Sequence, residues 1–188
     1  MKSEYIKVLF ILIIFLCFFI DIVFAAESGL IHHYKFENNL DDSTGKAHFE
    51  IEKGEVKYIS DWIDKQAIKL DLEDSLKILN KNLKIDSSKM TLSFWAKFES
   101  IEESNFIDKS ETIEENFKGF SLKGKQSSGM RFLTSGNIEN NFLDCDISNF
   151  VGKWAYIALT SEKNKERKIY INGKLCNKNK ASSVDIKT

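Results

Sequence analysis

Two neighbouring acids in a polar turn are the first residues in this chain whose types suggest chemistry. Asp41 and Asp42 are followed by Ser43, Thr44 and Gly45, so several oxygen ligands lie within a few residues. Hard cations such as Ca²⁺ take about six to eight oxygen ligands. The turn lacks the ligand spacing of an EF-hand loop, and the same residue types also build solvated turns through their own hydrogen bonds. From the residues alone, a structural calcium site and an ordinary turn both stay open.

Two tryptophans suggest a different chemistry, the stacking of indole rings on sugars. Trp62 lies in a polar connection between two apolar runs, and Trp95 lies on the polar face of an alternating segment. Such rings combine a large apolar surface with one polar group, which suits them to binding faces. We therefore treat Trp62 and Trp95 as candidate ligand-binding residues. For Trp95, burial in a second layer of packing is the alternative.

The chain shows no pattern typical of catalysis. Glycoside hydrolases use two carboxylates that flank one bond, so an alternating run of acids on a strand would be needed. Asp71, Glu73 and Asp74 come nearest, but their order differs and they lie at a strand end. Nucleophile-elbow, zinc-protease and phosphate-loop motifs are absent from the sequence. We predict that the chain is not an enzyme and has no catalytic residues.

Residues 1–25 have the organisation of a secretory signal peptide. Lys2 and Lys7 precede an apolar run over residues 8–20, which is too short for a bilayer that needs about 20 residues. An uncleaved anchor is the alternative, but Asp21 would be costly inside it. We expect a secreted, cell-surface or periplasmic protein with no membrane contact after cleavage.

Export changes the interpretation of the cysteines. Cys17 leaves with the signal peptide, whereas Cys145 and Cys176 stay in the mature chain. Two cysteines in an oxidising compartment favour a disulfide. Two buried, reduced thiols that pack as small apolar groups are the alternative, and the sequence leaves both open.

Charge and length limit the remaining classes. The 188 residues include 27 Lys and Arg against 28 Asp and Glu, for a net charge of −1. A nucleic-acid partner is not expected, because it would need a clustered basic excess. The length suits a signal peptide followed by one domain over residues 26–188.

Alternation of apolar and polar residues predicts the elements that position these residues. Residues 90–98 (MTLSFWAKF) form the clearest case, with apolar residues at every second position, and we predict a central core strand there. Residues 29–38 are predicted as a first strand, and residues 99–117 as an acidic loop in which Phe106 and Ile107 form a short insert that could pair. His32 and His33 would point to opposite faces of that first strand, so they would not bind one metal ion together.

The segment over residues 154–177 predicts three antiparallel strands. Asn172 and Gly173 tolerate the positive φ of a type I′ turn. This turn would pair Ile171 with Lys174, and Ile169 with Cys176. No window has sustained helical periodicity, so many short strands joined by polar turns predict an all-β, antiparallel β-sandwich.

Four segments in this order resemble the laminin-G-like jelly-roll domains of the concanavalin A-like lectin/glucanase superfamily. They are GLIHHYKFENNLDDSTGKAH, AIKLD, MTLSFWAKF and KWAYIALTSEKNKERKIYINGKL, and together they cover about residues 29–177. The resemblance implies two packed antiparallel sheets and a structural calcium ion near Asp42. It also implies a final strand that the sequence lacks over residues 184–188, so we expect either a fragment or a domain without its last strands.

The resemblance also directs the expected function. It implies a non-catalytic exported binding or adhesion module for a carbohydrate or an extracellular protein. A structural accessory domain of a larger extracellular protein is the alternative, and a degenerate glycan hydrolase of the same fold is a further one.

Overall fold

The computed structural model describes residues 29–62, 65–79, 89–101, 104–113, 116–125, 129–137, 141–162 and 164–180. The predicted signal peptide over residues 1–25 lies outside these ranges, as do residues 181–188. The chain divides into two compact units, residues 1–83 and 84–188. One domain over residues 26–188 therefore stays a prediction.

The described residues contain twelve strands and a short 3-10 turn at Ser148–Phe150. The strands are β1 (Glu50–Lys53), β2 (Lys57–Trp62), β3 (Lys65–Lys69), β4 (Ser75–Lys77), β5 (Lys89–Lys97), β6 (Asn105–Ile113), β7 (Asn116–Lys125), β8 (Gly129–Asn137), β9 (Phe142–Asp146), β10 (Trp154–Glu162), β11 (Glu166–Ile171) and β12 (Lys174–Lys180). All their pairings are antiparallel. The predicted all-β class is confirmed.

The first unit contains two two-stranded sheets, one formed by β1 and β4 and the other by β2 and β3. The prediction of a strand over residues 29–38 is wrong, because only an isolated bridge from Tyr34 to Asp42 forms there. Phe36 and Asn38 have φ of 57° and 58°, which turns the chain out of an extended path. Strand β2 was not expected, and it places Trp62 in a strand rather than in a loop.

The second unit is a sandwich of two four-stranded sheets. Sheet I has the order β12-β11-β10-β5, and sheet II has the order β6-β7-β8-β9. Every second residue of β10 is buried, beginning with Ala155, Ile157 and Leu159. These side chains belong to one core cluster with residues of sheet II, including Phe132 and Leu143. The alternation that predicted a strand thus also determines which face is buried.

Strand β5 confirms the alternation predicted for residues 90–98, since its even-numbered residues lie on the core side. Its predicted central position is not observed. In the described part of sheet I, β5 pairs with β10 and is the outermost strand. The predicted acidic loop over residues 99–117 is also wrong, because β6 occupies Asn105–Ile113 and pairs with β7 along its length. Pairing with the strand that directly follows, β7, overrides the weak strand propensity of this polar segment.

The hairpin between β11 and β12 follows the prediction for its first two pairs. Asn172 and Gly173 have φ of 50° and 77°, and Ile171 pairs with Lys174. The predicted pairing of Ile169 with Cys176 is wrong, because Ile169 faces Asn177 across an irregularity in the register. One extra residue in β12, as in a β-bulge, shifts the pairing from there onward.

A disulfide and a buried arginine join the two sheets of the sandwich. The disulfide links Cys145 of β9 to Cys176 of β12, with their Cα atoms 6.0 Å apart. The arginine is Arg167 of β11, which is 1% exposed. Its Nη1 donates to the Thr134 hydroxyl at 3.0 Å and to the Asn141 carbonyl at 2.7 Å.

Candidate functional site

The outer face of sheet I carries a group of aromatic and apolar side chains. We call it the aromatic patch and define it as Trp95, Tyr156, Tyr170 and Leu175. Trp95 of β5 lies directly opposite Tyr156 of β10, with ring centroids 5.4 Å apart and planes at 48°. Trp95 is 46% exposed and Leu175 is 48% exposed. Burial of Trp95 in a second layer is therefore not observed.

Register brings the other two members of the aromatic patch beside this pair. Tyr170 of β11 pairs with Ala158, two residues along β10 from Tyr156, and Leu175 pairs with Tyr170 on its other side. Diagonal neighbours on one face of a sheet are about 7–8 Å apart, within reach of aromatic side chains. The patch therefore extends over all four strands of sheet I.

Charged residues border the aromatic patch along β11 and β12. Glu166 accepts from Lys168 at 2.9 Å and from Lys178 at 2.9 Å. These ion pairs are solvent-exposed, so they contribute little to stability. Apolar rings beside solvated charges are typical of binding faces, where aromatic side chains supply contact and the polar rim stays wet.

The sequence pattern identified one of the four patch residues, Trp95, as a candidate. Tyr156, Tyr170 and Leu175 were missed, although their alternation with buried residues was visible in the segment over residues 154–177. What the sequence did not show is that β10 pairs with β5, which places Tyr156 against Trp95. The second candidate, Trp62, ends β2 in the first unit, and its side chain is outside the described part of the structure.

The candidate calcium ligand Asp42 is buried, with a side-chain exposure of 0%. Its carboxylate accepts hydrogen bonds from His32 Nδ1 at 2.8 Å and from the His33 amide at 3.0 Å. Thr44 donates twice, from its amide at 2.9 Å and its hydroxyl at 2.7 Å, and the Ala47 amide donates at 3.1 Å. Both oxygens are thus surrounded by N–H and O–H groups.

These contacts determine the protonation of the buried network. Burial alone would raise the pKa of Asp42, but the hydrogen bonds from His32, His33 and Thr44 outweigh it and hold this pKa well below its usual range. Burial, together with the negative charge of Asp42, raises the pKa of Tyr34 to about 12. Tyr34 donates to the Ala47 carbonyl and so stays a phenol at neutral pH.

A calcium ion does not fit the residues around Asp42. A cation needs lone pairs directed at it, whereas the groups that face this carboxylate are donors. Asp41 is 66% exposed and pairs with His48 at 3.1 Å instead of pointing at the same place. Within the described ranges, no group of three or more His, Cys, Asp or Glu side chains is arranged to hold a metal. Asp42 organises the turn by accepting hydrogen bonds.

The two sheets define the class of the protein, an all-β domain whose antiparallel sheets enclose one core. A family model of the laminin-G type, described as the concanavalin A-like lectin/glucanases superfamily, matches residues 71–188. The chain therefore belongs to the concanavalin A-like lectin/glucanase superfamily. No curated protein matches its sequence. Across the described residues, no helix has the length and apolar character to span a membrane.

Among solved structures, the chain is similar to the binding domain of botulinum neurotoxin DC in complex with SialylT. The identity is 22%, the TM-score is 0.61, and the match covers 83% of this chain and 40% of that chain. The chain is also similar to the same binding domain in complex with rat synaptotagmin II. The identity is 23% and the TM-score is 0.59, and the match covers 81% of this chain and 40% of that chain. The binding domain of Paraclostridial Mosquitocidal Protein 1 is similar as well, with an identity of 18% and a TM-score of 0.53. That match covers 74% of this chain and 37% of that chain.

The chain thus spans about 40% of the length of these binding domains. At such identities the likeness is one of fold.

Proposed function

We propose that this chain is a non-catalytic binding module that acts outside the cell and recognises a carbohydrate or a protein surface. The observation that carries this proposal is the aromatic patch, in which Trp95 is 46% exposed and rests against Tyr156. This pair lies on the face of sheet I that points away from the core cluster, and rings of this kind contribute strongly to binding energy.

The structural neighbours support a binding role. Their names describe binding domains, in complex with SialylT in one structure and with rat synaptotagmin II in another. A third concerns botulinum neurotoxin type C, whose cell entry depends upon interaction with two ganglioside molecules. Glycans and proteins are therefore both reasonable ligand classes for this chain, and flat aromatic rings beside solvated charges favour a glycan.

The acids nearest to a hydrolase pattern have other uses. Asp71 pairs with Lys57 at 2.9 Å and with Lys69 at 3.5 Å. Asp74 accepts from the Glu55 amide at 3.0 Å and from the Asp71 amide at 2.8 Å. Hydrogen bonds from these partners lower the pKa of both carboxyls, so neither is suited to act as the general acid that glycoside hydrolysis needs.

A glycan array tests the ligand class, with the purified chain applied with and without CaCl₂. We expect binding to a defined set of glycans in both conditions. Trp95→Ala should lower this binding at least about thirtyfold, since loss of a central aromatic contact costs about 2 kcal/mol or more. Tyr58→Ala is the matched control, because Tyr58 is an aromatic residue exposed by 37% in β2.

A chain that binds no glycan in either condition would favour the structural accessory domain. Equal losses in Trp95→Ala and Tyr58→Ala would argue against the aromatic patch as the site. The proposed location rests on residues 1–25, and N-terminal sequencing of the chain from the extracellular or envelope fraction should begin at Ala26.

A further inference from the structure

Sheet II carries a group of polar and basic residues on the face that points away from the shared core. A pocket of about 350 Å³ lies there, which we call the basic pocket and define by its lining residues Ser104, Asn105, Lys123, Gly124, Lys125 and Arg131. Its position follows from strand alternation. Leu122 of β7 and Phe132 of β8 belong to the core, so their neighbours Lys123 and Arg131 point outward.

Strand register places the cations of the basic pocket in a row. Asn105 pairs with Lys123, Lys123 with Arg131, and Arg131 with Asp144. Lys123 and Arg131 therefore lie directly opposite each other on one face. Like charges in this position repel each other, and a bound anion would relieve the repulsion.

Arg131 is held in a fixed orientation beside the pocket. Its Nε donates to Asp144 Oδ1 at 2.7 Å and its Nη2 to Asp144 Oδ2 at 2.9 Å. Its Cζ lies 3.8 Å from the centre of the Phe142 ring. Its Nη1 has no partner among the described residues. The fork to Asp144 and the stacking on Phe142 thus orient the two N–H groups of Nη1 at little further entropic cost.

Asp144 does not neutralise the pocket. Lys125 also pairs with it at 2.7 Å, so one carboxylate serves two cations. Lys123 forms no ion pair within the described residues. Among the six described residues that line the basic pocket, three are cations and none is an acid.

We propose that the basic pocket binds an acidic saccharide residue through its carboxylate or sulfate group. Arg131 Nη1 and Lys123 Nζ would hold the anion, while the Asn105 amide would bond to a sugar hydroxyl. The pocket volume is at the small end of the range of about 300–1,000 Å³ for small-ligand sites, which fits one sugar ring rather than a peptide. This site is on the opposite sheet from the aromatic patch, so it does not depend on the proposed role of Trp95.

Titration calorimetry of the purified chain tests this site with three probes, 3′-sialyllactose, lactose 3′-sulfate and lactose. We expect at least one acidic probe to bind about tenfold more tightly than lactose, because charge-assisted hydrogen bonds are roughly twice as strong as neutral ones. The affinity should fall as NaCl is raised. The two acidic probes distinguish carboxylate from sulfate.

Variants separate the basic pocket from general charge. Lys123→Gln should weaken the acidic probe about tenfold, since it removes one charge-assisted contact. Lys174→Gln removes the same charge from an exposed position of sheet I and should change nothing. Trp95→Ala should also leave the acidic probe unaffected. Circular dichroism confirms that each variant is folded.

Three results would overturn the inference. They are equal affinity for lactose and both acidic probes, equal losses in Lys123→Gln and Lys174→Gln, and binding of a poly-glutamate peptide with no binding of the sugars. Loss of the acidic probe in Trp95→Ala would instead assign it to the aromatic patch. If the glycan array showed no binding of neutral sugars, the proposal for the basic pocket would be unaffected.

Discussion

At the scale of single residues, the most informative contrast is between two adjacent carboxylates of one turn. Asp42 is buried and accepts from two side chains and several backbone amides, whereas Asp41 is 66% exposed. The two acids are the same residue type in one polar turn, so their local sequence does not distinguish them. Their surroundings make Asp42 a structural centre and leave Asp41 as a surface charge.

Asp42→Asn is expected to lower the free energy of unfolding by about 2–4 kcal/mol, because the new amide would place donors against donors. Asp41→Asn is the matched control and should change it by less than about 0.5 kcal/mol. Urea unfolding measures both. A similar effect in the two variants would show that the hydrogen bonds to Asp42 are unimportant.

Acid should weaken the same network. The folded state holds the pKa of Asp42 below its unfolded value of 3.8, so its stabilisation is present above about pH 4 and is lost as pH falls further. Thermal unfolding from pH 7 to pH 2 should show a smaller acid-induced loss in Asp42→Asn than in the wild type. The addition of CaCl₂ at pH 7 should leave the melting temperature unchanged, and a rise that depends on Asp42 would contradict the network described here.

At the scale of elements, β12 determines how the two sheets of the sandwich are joined. The irregular register after Ile169 leaves Cys176 at the bulge, and its sulfur bonds to that of Cys145 on β9. Asn177 and Asn179 donate to the carbonyls of Asp144 and Phe142 at 2.8 and 2.7 Å. The extra residue therefore turns an edge strand toward the opposite sheet, where side chains and a disulfide cover the edge.

Replacing both cysteines with alanine should lower the free energy of unfolding by about 3–4 kcal/mol, since the disulfide closes a loop with a sequence separation of 31. Urea unfolding of the wild type, with and without dithiothreitol, should show the same difference. The reductant should have no effect on the double variant. An unchanged midpoint in the wild type after verified reduction would contradict this prediction.

Arg167 of β11 also joins the two sheets, through hydrogen bonds to Thr134 of β8 and to Asn141. Burial lowers its pKa to about 10, so the guanidinium stays charged at neutral pH although its described partners are neutral. Arg167→Met should cost about 2–4 kcal/mol, because the Asn141 carbonyl and the Thr134 hydroxyl lose their donors inside the sandwich. Lys168→Met, on the outer face of the same strand, should cost less than about 1 kcal/mol. Equal costs in urea unfolding would argue against a role for the buried position.

At the scale of the whole molecule, the apolar core is unevenly distributed. The core cluster lies entirely within residues 84–188, whereas Ala47 is the one fully buried hydrophobic residue among the described residues before them. Several apolar side chains of the first unit are exposed, such as Ile51 at 50% and Leu72 at 92%. Local stability is expected to follow this difference.

Hydrogen exchange measured by mass spectrometry should therefore be slowest in peptides from β10 and β11, which contribute the fully buried residues Ile157, Leu159 and Ile169. Peptides from β1 to β4 should exchange faster, because they lie in two-stranded sheets with little buried apolar surface. Comparable protection in both units would contradict the uneven core.

Local pattern was enough to predict several parts of this molecule. Alternating residues identified β5 and β10 and the face that each buries, and the pair Asn172-Gly173 identified the hairpin between β11 and β12. It was not enough for β2 and β6, whose polar sequences form strands only because partners pair with them. Trp95 was recognisable as a candidate, but its exposure was not.

Side-chain period and turn chemistry are properties of neighbouring residues, so the sequence alone determined the all-β class, the buried faces and the tight turn. Which strands meet is a property of residues far apart in the chain, and it was decided only in the tertiary structure. Tyr156 joins Trp95, and Cys176 reaches Cys145, because of non-local register. A shift of one residue in that register would turn each of these side chains to the other face.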